Sequence, residues 1–288
     1  MKILVLGSNG MLGSRLVPYL FKHGHEVQSV SRTDIGENNI DLQDELNTLG
    51  GIQRVNPEVV INLVGMTDVD RCESHPKEAW QSNVRTAENI ARACSVTGAH
   101  LVHLSSDQVY DSVPACMEAD ACPGNYYGVT KYSGELAALA ASASVLRTNF
   151  FGLSPHANRR SLSDWLFSAL QENRQIQVFN DVHFSPLNMT TVCIMINEVV
   201  MHRHTGVFNL GSSNCMSKAD FAFAFADAVG LSSNNLSRVN AKHSGLLNAW
   251  RPKNMCMNSS RFEAVFDVRL PSLQTEIARV AKEYRDQI

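Results

Sequence analysis

The stretch KILVLGSNGMLGSRL, residues 2–16, decides the fold. A short apolar run, ILVL at 3–6, breaks directly into three glycines spaced GxxGxxG, Gly7, Gly10 and Gly13. A helical pattern follows over 11–23. An apolar run too short for a helix that ends in glycine reads as a buried strand turning into a helix. Gly7 permits the tight turn, Gly10 lets backbone N–H groups approach a pyrophosphate, and Gly13 lets the helix pack closely, its N-terminus adding partial positive charge. Asn9, Met11 and Leu12 belong to the same loop and stand with the glycines as candidate cofactor contacts. The spacing is not GxGxxG, and a plain strand-to-helix turn accounts for this motif on its own equally well.

The same rhythm continues outward. Strand-like runs at 2–6, 26–31, 59–64, 101–105 and 145–148 alternate with helical patterns at 11–23, 76–97 and 127–142. Alternation of this kind requires crossover connections, hence a mostly parallel sheet covered by helices on both faces: an α/β, doubly wound, Rossmann-type fold. After residue 150 the rhythm loosens into a helix at 161–172, a polar loop at 180–188, a strand at 206–210 and helices at 218–229 and 272–285. We therefore expect a dinucleotide-binding domain over 1–150 and a smaller α+β substrate lobe over 151–288, partly interleaved with the first.

Composition narrows the function. A chain of 288 residues with 44% hydrophobic content buries a sizeable core. A net charge of −3 without blocks of like charge argues against nucleic-acid or membrane surfaces. Apolar runs are too short to span a bilayer. Lys2 and ILVL resemble the start of a signal peptide, but the run breaks at Gly7 without a cleavage site. The seven cysteines include no CxxC pair, so the expectation is free thiols in a reducing cytoplasm, with neither a disulfide framework nor a zinc site. His202 and His204 lack a third ligand nearby and read as surface residues, Asp68, Asp70 and Glu73 as solvated loop charges, and Phe221, Phe223 and Phe225 as packing. No metal is expected, and the partners are small molecules.

The end of the second strand indicates which cofactor. An acid that would accept from a ribose 2′-hydroxyl belongs about 20 residues past the glycines. This chain has Arg32 there. A guanidinium matches a 2′-phosphate and stacks on adenine, so NADP(H) is preferred. NAD(H) is the alternative, with Asp34 as the acid.

The catalytic signal is YGVTK at 127–131. Four residues apart on a helix, the Lys131 ammonium lies over the same face as the Tyr127 phenol. At ~4 Å and an effective dielectric of about 20, such a charge is worth on the order of 4 kcal/mol to a phenolate. Alone, YxxxK reads equally as a surface pair. The preceding strand, HLVHLSSDQVYDS, brings Ser105, Ser106 and Asp107 to its carboxyl end, where a hydroxyl polarises a substrate carbonyl. Gly7, Arg32, Gly65, Ser106 and Asn149 all fall at carboxyl ends of strands, where ligands bind in open parallel sheets.

Together GSNGMLG, the Asp41-Leu42 pair, NLVGMTDVDRCESHP, SSDQVYDS, YGVTKYSGE, LRTNFFG and FNDVHFSP resemble the extended short-chain dehydrogenase/reductases, and within them the dTDP-4-dehydrorhamnose reductase family, over residues 1–190. The resemblance implies an NADPH-dependent reduction of a nucleotide-linked 4-keto-6-deoxysugar. Tyr127 would donate the proton, Lys131 would bind the nicotinamide ribose and lower the tyrosine pKa, and Ser106 would orient the carbonyl. It further implies cofactor contacts at Met11, Leu12, Arg32, Asp41, Leu42, Leu63, Val64 and Gly65, and substrate contacts at Ser106, Asp107, Asn149 and Phe150. The sequence departs from the family in Phe150, where tryptophan is usual, in Gln108, where tyrosine is usual, and in Leu63-Val64-Gly65, where small residues are usual. These departures bear on the sugar more than on the chemistry. A homodimer is compatible with the resemblance. So are two other roles: a non-catalytic NADP(H)-binding regulatory subunit like that of methionine adenosyltransferase, and a nucleotide-sugar epimerase or dehydratase. Discrimination among sugars is expected from the loop at 180–188, where Phe184 would stack on a base.

Replacing Arg32 by Ala removes one charge-assisted fork to a 2′-phosphate, so titration should show NADPH weakened far more than NADH. Equal losses for both would exclude Arg32 as the discriminator.

Overall fold

The computed structural model describes residues 1–31, 40–111, 115–156, 159–241 and 249–286; the expected contacts at Arg32 and Asp34 lie outside them. Among the described residues, strands β1 (Lys2–Leu6), β2 (Glu26–Val30), β3 (Val59–Asn62), β4 (His100–Ser106) and β5 (Ala143–Thr148) are followed by the short β6 (Phe150–Phe151), β7 (Ile176–Phe179), β8 (His183–Phe184) and β9 (Leu187–Asn188). Then come β10 (Gly206–Leu210), β11 (Met216–Ser217), β12 (Leu236–Val239) and β13 (Asn254–Met255). The main sheet has the order β10-β5-β4-β3-β1-β2, with every pair parallel. The strand order reverses between β1 and β3, the place where an open parallel sheet leaves a crevice.

Alternate side chains of each strand enter two different cores, because successive residues point to opposite faces. Ile3, Val5, Val102 and Leu146 pack with α1 (Gly13–Lys22) and with Val192, Ile196 and Val200. Leu4, Leu6, Val60, Leu101 and Val145 face the other way, onto α2 (Glu45–Val55) and Ile90. On that second face the chain also forms α3 (Val69–Ser74), α4 (Pro76–Trp80), α5 (Thr86–Thr97) and α6 (Tyr126–Ala138). The expected helix over 76–97 is interrupted by a π-helical turn at Gln81–Arg85, a device that recurs at functional sites.

Past residue 150 the chain returns to the main sheet. The strand expected in the second lobe is β10, which completes the sheet beside β5, with Phe208 opposite Leu146. The helix α8 (Met189–His202) packs on the first face. A separate core gathers α7 (Leu162–Gln171), α9 (Lys218–Val229) and α11 (Leu273–Arg285), while α10 (Ser260–Phe266) joins the first.

Two expectations are corrected here. The 180–188 stretch is not a polar loop: it contains β8 and β9, and Val182, Phe184, Ser185 and Leu187 are all buried. Phe184 is only 2% exposed and meets Phe221 edge-on at 5.4 Å between ring centroids, so it is a core residue and no platform for a base. Nor are all cysteines free. β11 and β13 flank β8, which brings Cys215 and Cys256 together in a disulfide; Cys72, Cys94, Cys116, Cys122 and Cys193 are the free ones. Sequence spacing carries no trace of that pairing. The Phe221 and Phe225 side chains are buried, as expected of packing residues.

Phe184→Ala should cost about 3–5 kcal/mol of stability, as truncation of a buried aromatic does. Chemical denaturation checks this, and an unchanged midpoint would contradict the core placement.

Candidate active site

Proximity runs continuously along the carboxyl edge of the sheet. Gly7 has φ +86°, and a Cβ there would lie 3.2 Å from the backbone of Leu63 and of Val64. The glycine turn thus abuts the chain leaving β3. At Gly13 a Cβ would meet the Gly7 carbonyl oxygen at 2.5 Å, so the helix can start this close to the turn only with glycine. The turn closes through Gly10 N–H donating to the Gly7 carbonyl at 3.0 Å. Asn9 Nδ2 donates to Ser31 Oγ at 2.8 Å, joining the turn to the end of β2. Met11 is half-buried and Leu12 buried in the core, so Leu12 offers a ligand only its backbone. Asp41 and Leu42 lie before α2; the Leu42 carbonyl accepts from Asn89 Nδ2 at 3.0 Å.

From the β3 end the wall continues to the motif on α6. A Cβ on Gly65 would lie 3.0 Å from Asn83 Oδ1 and 3.7 Å from Lys131 Nζ. Asn83, in the π-helical turn, accepts from Met66 N at 2.7 Å and donates through Nδ2 to Thr130 Oγ1 at 2.9 Å, fixing this wall against α6. Asn125 caps α6, its Oδ1 accepting from Gly128 N at 2.7 Å, and so sets where Tyr127 sits on the first turn.

Tyr127, Lys131, Ser106, Asp107 and Asn149 converge. The Ser106 hydroxyl lies near enough to the Tyr127 phenol to favour its ionised form. Ser106 Oγ donates to Asp107 Oδ1 at 3.2 Å, and Asn149 Nδ2 donates to Asp107 Oδ2 at 2.7 Å. Phe150 lies next to Asn149, half-buried. Burial shifts every titratable member. The Tyr127 phenol is pushed well above its usual value by desolvation, a shift the Ser106 hydroxyl partly offsets and the Asp107 charge adds to. Lys131 is lowered to about 8 by desolvation, against the pull of Glu135. Asp107 is raised to about 6 by desolvation, against its hydrogen bond from Asn149 and the Lys218 charge.

The expected electrostatics differ in one respect. Lys131 Nζ donates to the Leu104 carbonyl at 2.7 Å instead of lying against the phenol. A buried ammonium takes the nearest strong acceptor, and on this sheet that is a β4 carbonyl.

The family match extends beyond the quoted motifs. The model of the RmlD substrate binding domain matches residues 1–286. The chain belongs to this family. Within the RmlD family's wider relations, it is similar to dTDP-4-dehydrorhamnose reductase of Escherichia coli, 27% identical over 98% of each chain. It is also similar to methionine adenosyltransferase 2 subunit beta of Pongo abelii, 29% identical over 92% of this chain and 82% of that one. A crystal structure of dTDP-4-dehydrorhamnose reductase from Bacillus anthracis in complex with NADP matches the fold with a TM-score of 0.89 at 22% identity, over 98% of this chain and 99% of that one.

Several residues at the site escaped sequence inspection. Asn83 and Asn125 carry no motif. Arg147 sits inside a strand whose other side chains are also buried, and a guanidinium there demands a partner. It is Glu135, which accepts from Arg147 Nη2 at 2.6 Å and Nε at 3.0 Å, and also from Ser105 Oγ. The three acids expected as solvated loop charges are instead built into α3 and its cap, with Asp70 and Glu73 inside the helix. Asp68 caps α3, Asp70 pairs with Arg251 and Glu73 accepts from Tyr126 N. Among the described residues no cluster of metal-ligating side chains forms, and no helix is long and apolar enough to cross a membrane.

Arg147→Met leaves Glu135 charged and unpaired in the core, so it should cost about 3–5 kcal/mol. Adding Glu135→Leu should recover most of that loss in denaturation experiments; additive losses would contradict the coupling.

Proposed function

We propose that this chain reduces the 4-keto group of a nucleotide-linked 6-deoxysugar with NADPH, in the cytoplasm. The observation that carries this is the convergence of Ser106, Asp107 and Asn149 at the strand ends with Lys131 beside Gly65, next to the glycine turn, and Tyr127 one turn before Lys131 on α6. The turn fits a dinucleotide: glycine is required at Gly13 by the approach of the Gly7 carbonyl, and α1 begins there with its positive end. Gly7, Asn9, Gly10, Met11, Leu12 and Gly13 would hold the pyrophosphate, Arg32 the 2′-phosphate, and Asp41 and Leu42 the adenine side. Leu63, Val64, Gly65 and Lys131 would line the nicotinamide end. When bound, NADPH supplies the hydride that the carbonyl carbon accepts.

The chain's own residues supply the rest. Ser106 donates a hydrogen bond to the carbonyl oxygen, stabilising the charge that grows there. Tyr127 gives that oxygen its proton. A phenol held above its ordinary pKa keeps its proton at neutral pH, which suits a donor, and an alkoxide is basic enough to take it. Lys131, near 8, remains mostly charged at neutral pH and favours the phenolate left behind. Asp107, buried and bonded through both oxygens, holds Ser106 and Asn149 in place, while Asn149 would offer its amide to sugar hydroxyls and Phe150 an apolar wall. The choice of sugar then falls to groups other than Phe184.

One similarity favours a second role: the methionine adenosyltransferase subunit beta, 29% identical. A regulator would bind the cofactor without turnover.

Tyr127→Phe keeps the ring and removes the proton, so turnover of a nucleotide-linked 4-keto-6-deoxyhexose should fall by about 10²–10⁴-fold, with NADPH affinity unchanged within about twofold. Wild-type protein that binds NADPH yet turns over no keto sugar would favour the regulatory role.

A further inference from the structure

The disulfide joins two segments that both reach the site. Cys215 and Cys256, 41 residues apart in sequence, are each half-buried and so within reach of a small thiol. Cys215 directly precedes β11, whose Ser217 caps α9 through a hydrogen bond from Asp220 N at 2.9 Å. The next residue, Lys218, lies close enough to Asp107 for each charge to act on the other. Cys256 directly follows β13, and β13 continues a strap at 249–253 that lies on the catalytic helix. Ala249 of the strap packs in one apolar cluster with Tyr127. Asn125, the cap of α6, donates to the Trp250 carbonyl at 3.0 Å. Three carboxylates hold the strap down, one of them Asp181, which accepts from Lys253 Nζ at 2.6 Å. Asp70 accepts from Ala249 N at 2.8 Å and from Arg251 Nη2 at 2.7 Å, and Asp111 accepts from Trp250 Nε1 at 2.6 Å and Lys253 N at 2.7 Å.

These holding contacts are polar and partly exposed, the kind that open locally at low cost. At its carboxyl end the strap runs into β13, which pairs with β8, and the Lys253 carbonyl accepts from His183 N at 2.8 Å; the bridge at Cys256 adds a covalent tie to these contacts. We propose that Cys215 and Cys256 form a thiol–disulfide latch: oxidised, the bridge pins the 249–253 strap against Tyr127 and its cap; reduced, the strap opens.

Closing the latch removes one electron and one proton from each thiol and forms the S–S bond. A low-molecular-weight disulfide accepts both electrons and both protons as its own S–S bond breaks into two thiols, and a dithiol reverses the exchange. The effect on turnover rests on the proposed reduction, because the strap covers the tyrosine assigned as proton donor. The latch itself does not depend on that assignment.

The test is hydrogen–deuterium exchange by mass spectrometry on the full chain, oxidised with glutathione disulfide or reduced with dithiothreitol, alongside Cys215→Ser and Cys256→Ser. Alkylation in denaturant should count five thiols in the oxidised chain and seven in the reduced one. Amides of 249–255 should exchange at least about tenfold faster when reduced, with β1 and β3 amides unchanged. Each serine variant should exchange at the reduced rate in both buffers. Seven thiols after oxidation would overturn the latch, as would strap exchange independent of redox state. Equal acceleration of β1 and β3 would also overturn it, making the bridge a global staple. Redox-dependent strap exchange in a chain that reduces no keto sugar would uphold the latch and reject the proposed reaction.

Discussion

A guanidinium buried within a parallel sheet organises this site. Arg147 and Glu135 are 2% and 1% exposed in their side chains, and ions taken so far from water hold together only when their remaining hydrogen-bonding groups are also met. Here they are. Arg147 Nη1 donates to the Tyr110 hydroxyl and to the Glu118 carbonyl, both at 2.7 Å, while Tyr110 donates onward to Asn209 Oδ1 at 2.7 Å. One network therefore ties β5, α6, the end of β4 and β10. Glu135 follows Lys131 by one turn on the same face of α6, so anchoring Glu135 fixes the helix rotation that aims Lys131 and Tyr127. Ser105 donates to Glu135, and the next residue, Ser106, lies near the phenol. The spacing of hydroxyl, phenol and ammonium is thereby set from behind.

The electrostatics follow from the same burial. Desolvation is the largest influence on Tyr127, Lys131 and Asp107 alike, raising both acids and lowering the amine. Such a site resists holding charge, so the phenolate left by proton donation depends on the Lys131 ammonium until a proton returns to it. Lys131 finds its acceptor at the Leu104 carbonyl, and its influence on the phenol is weaker in this structure than helix spacing suggests.

Much of this was legible in the sequence because it depends on local rules. Strand and helix alternation announced the parallel sheet, the glycine turn fell at the strand-order reversal, and the four-residue step put Tyr127 and Lys131 on one helix. What escaped depends on distance in the fold. The strand at 206–210 was visible, but its pairing with β5 was not, since parallel partners need no sequence proximity. The helix α8, MTTVCIMINEVVMH, is apolar around most of its circumference and shows little periodicity. The helix α2 was masked by Gly50 and Gly51; a Cβ on Gly51 would lie 2.6 Å from Ile40 Cδ1, so this glycine serves close packing. Phe184 was misjudged because polar neighbours suggested a loop, whereas β11 and β13 enclose it. The Cys215–Cys256 pairing depends on that same enclosure.

The central claim is that this carboxyl edge reduces a sugar carbonyl by hydride addition and proton donation from Tyr127. The most direct measurement follows isotope from cofactor to product: NADPH deuterated at nicotinamide C4 on the transferred face, a nucleotide-linked 4-keto-6-deoxyhexose, and mass spectrometry with NMR of the product. The account predicts one deuterium per turnover, bound to carbon at the former carbonyl, with the hydroxyl proton drawn from solvent. Product formed without carbon-bound deuterium, or deuterium retained wholly on the cofactor while the keto sugar is unchanged, would contradict it.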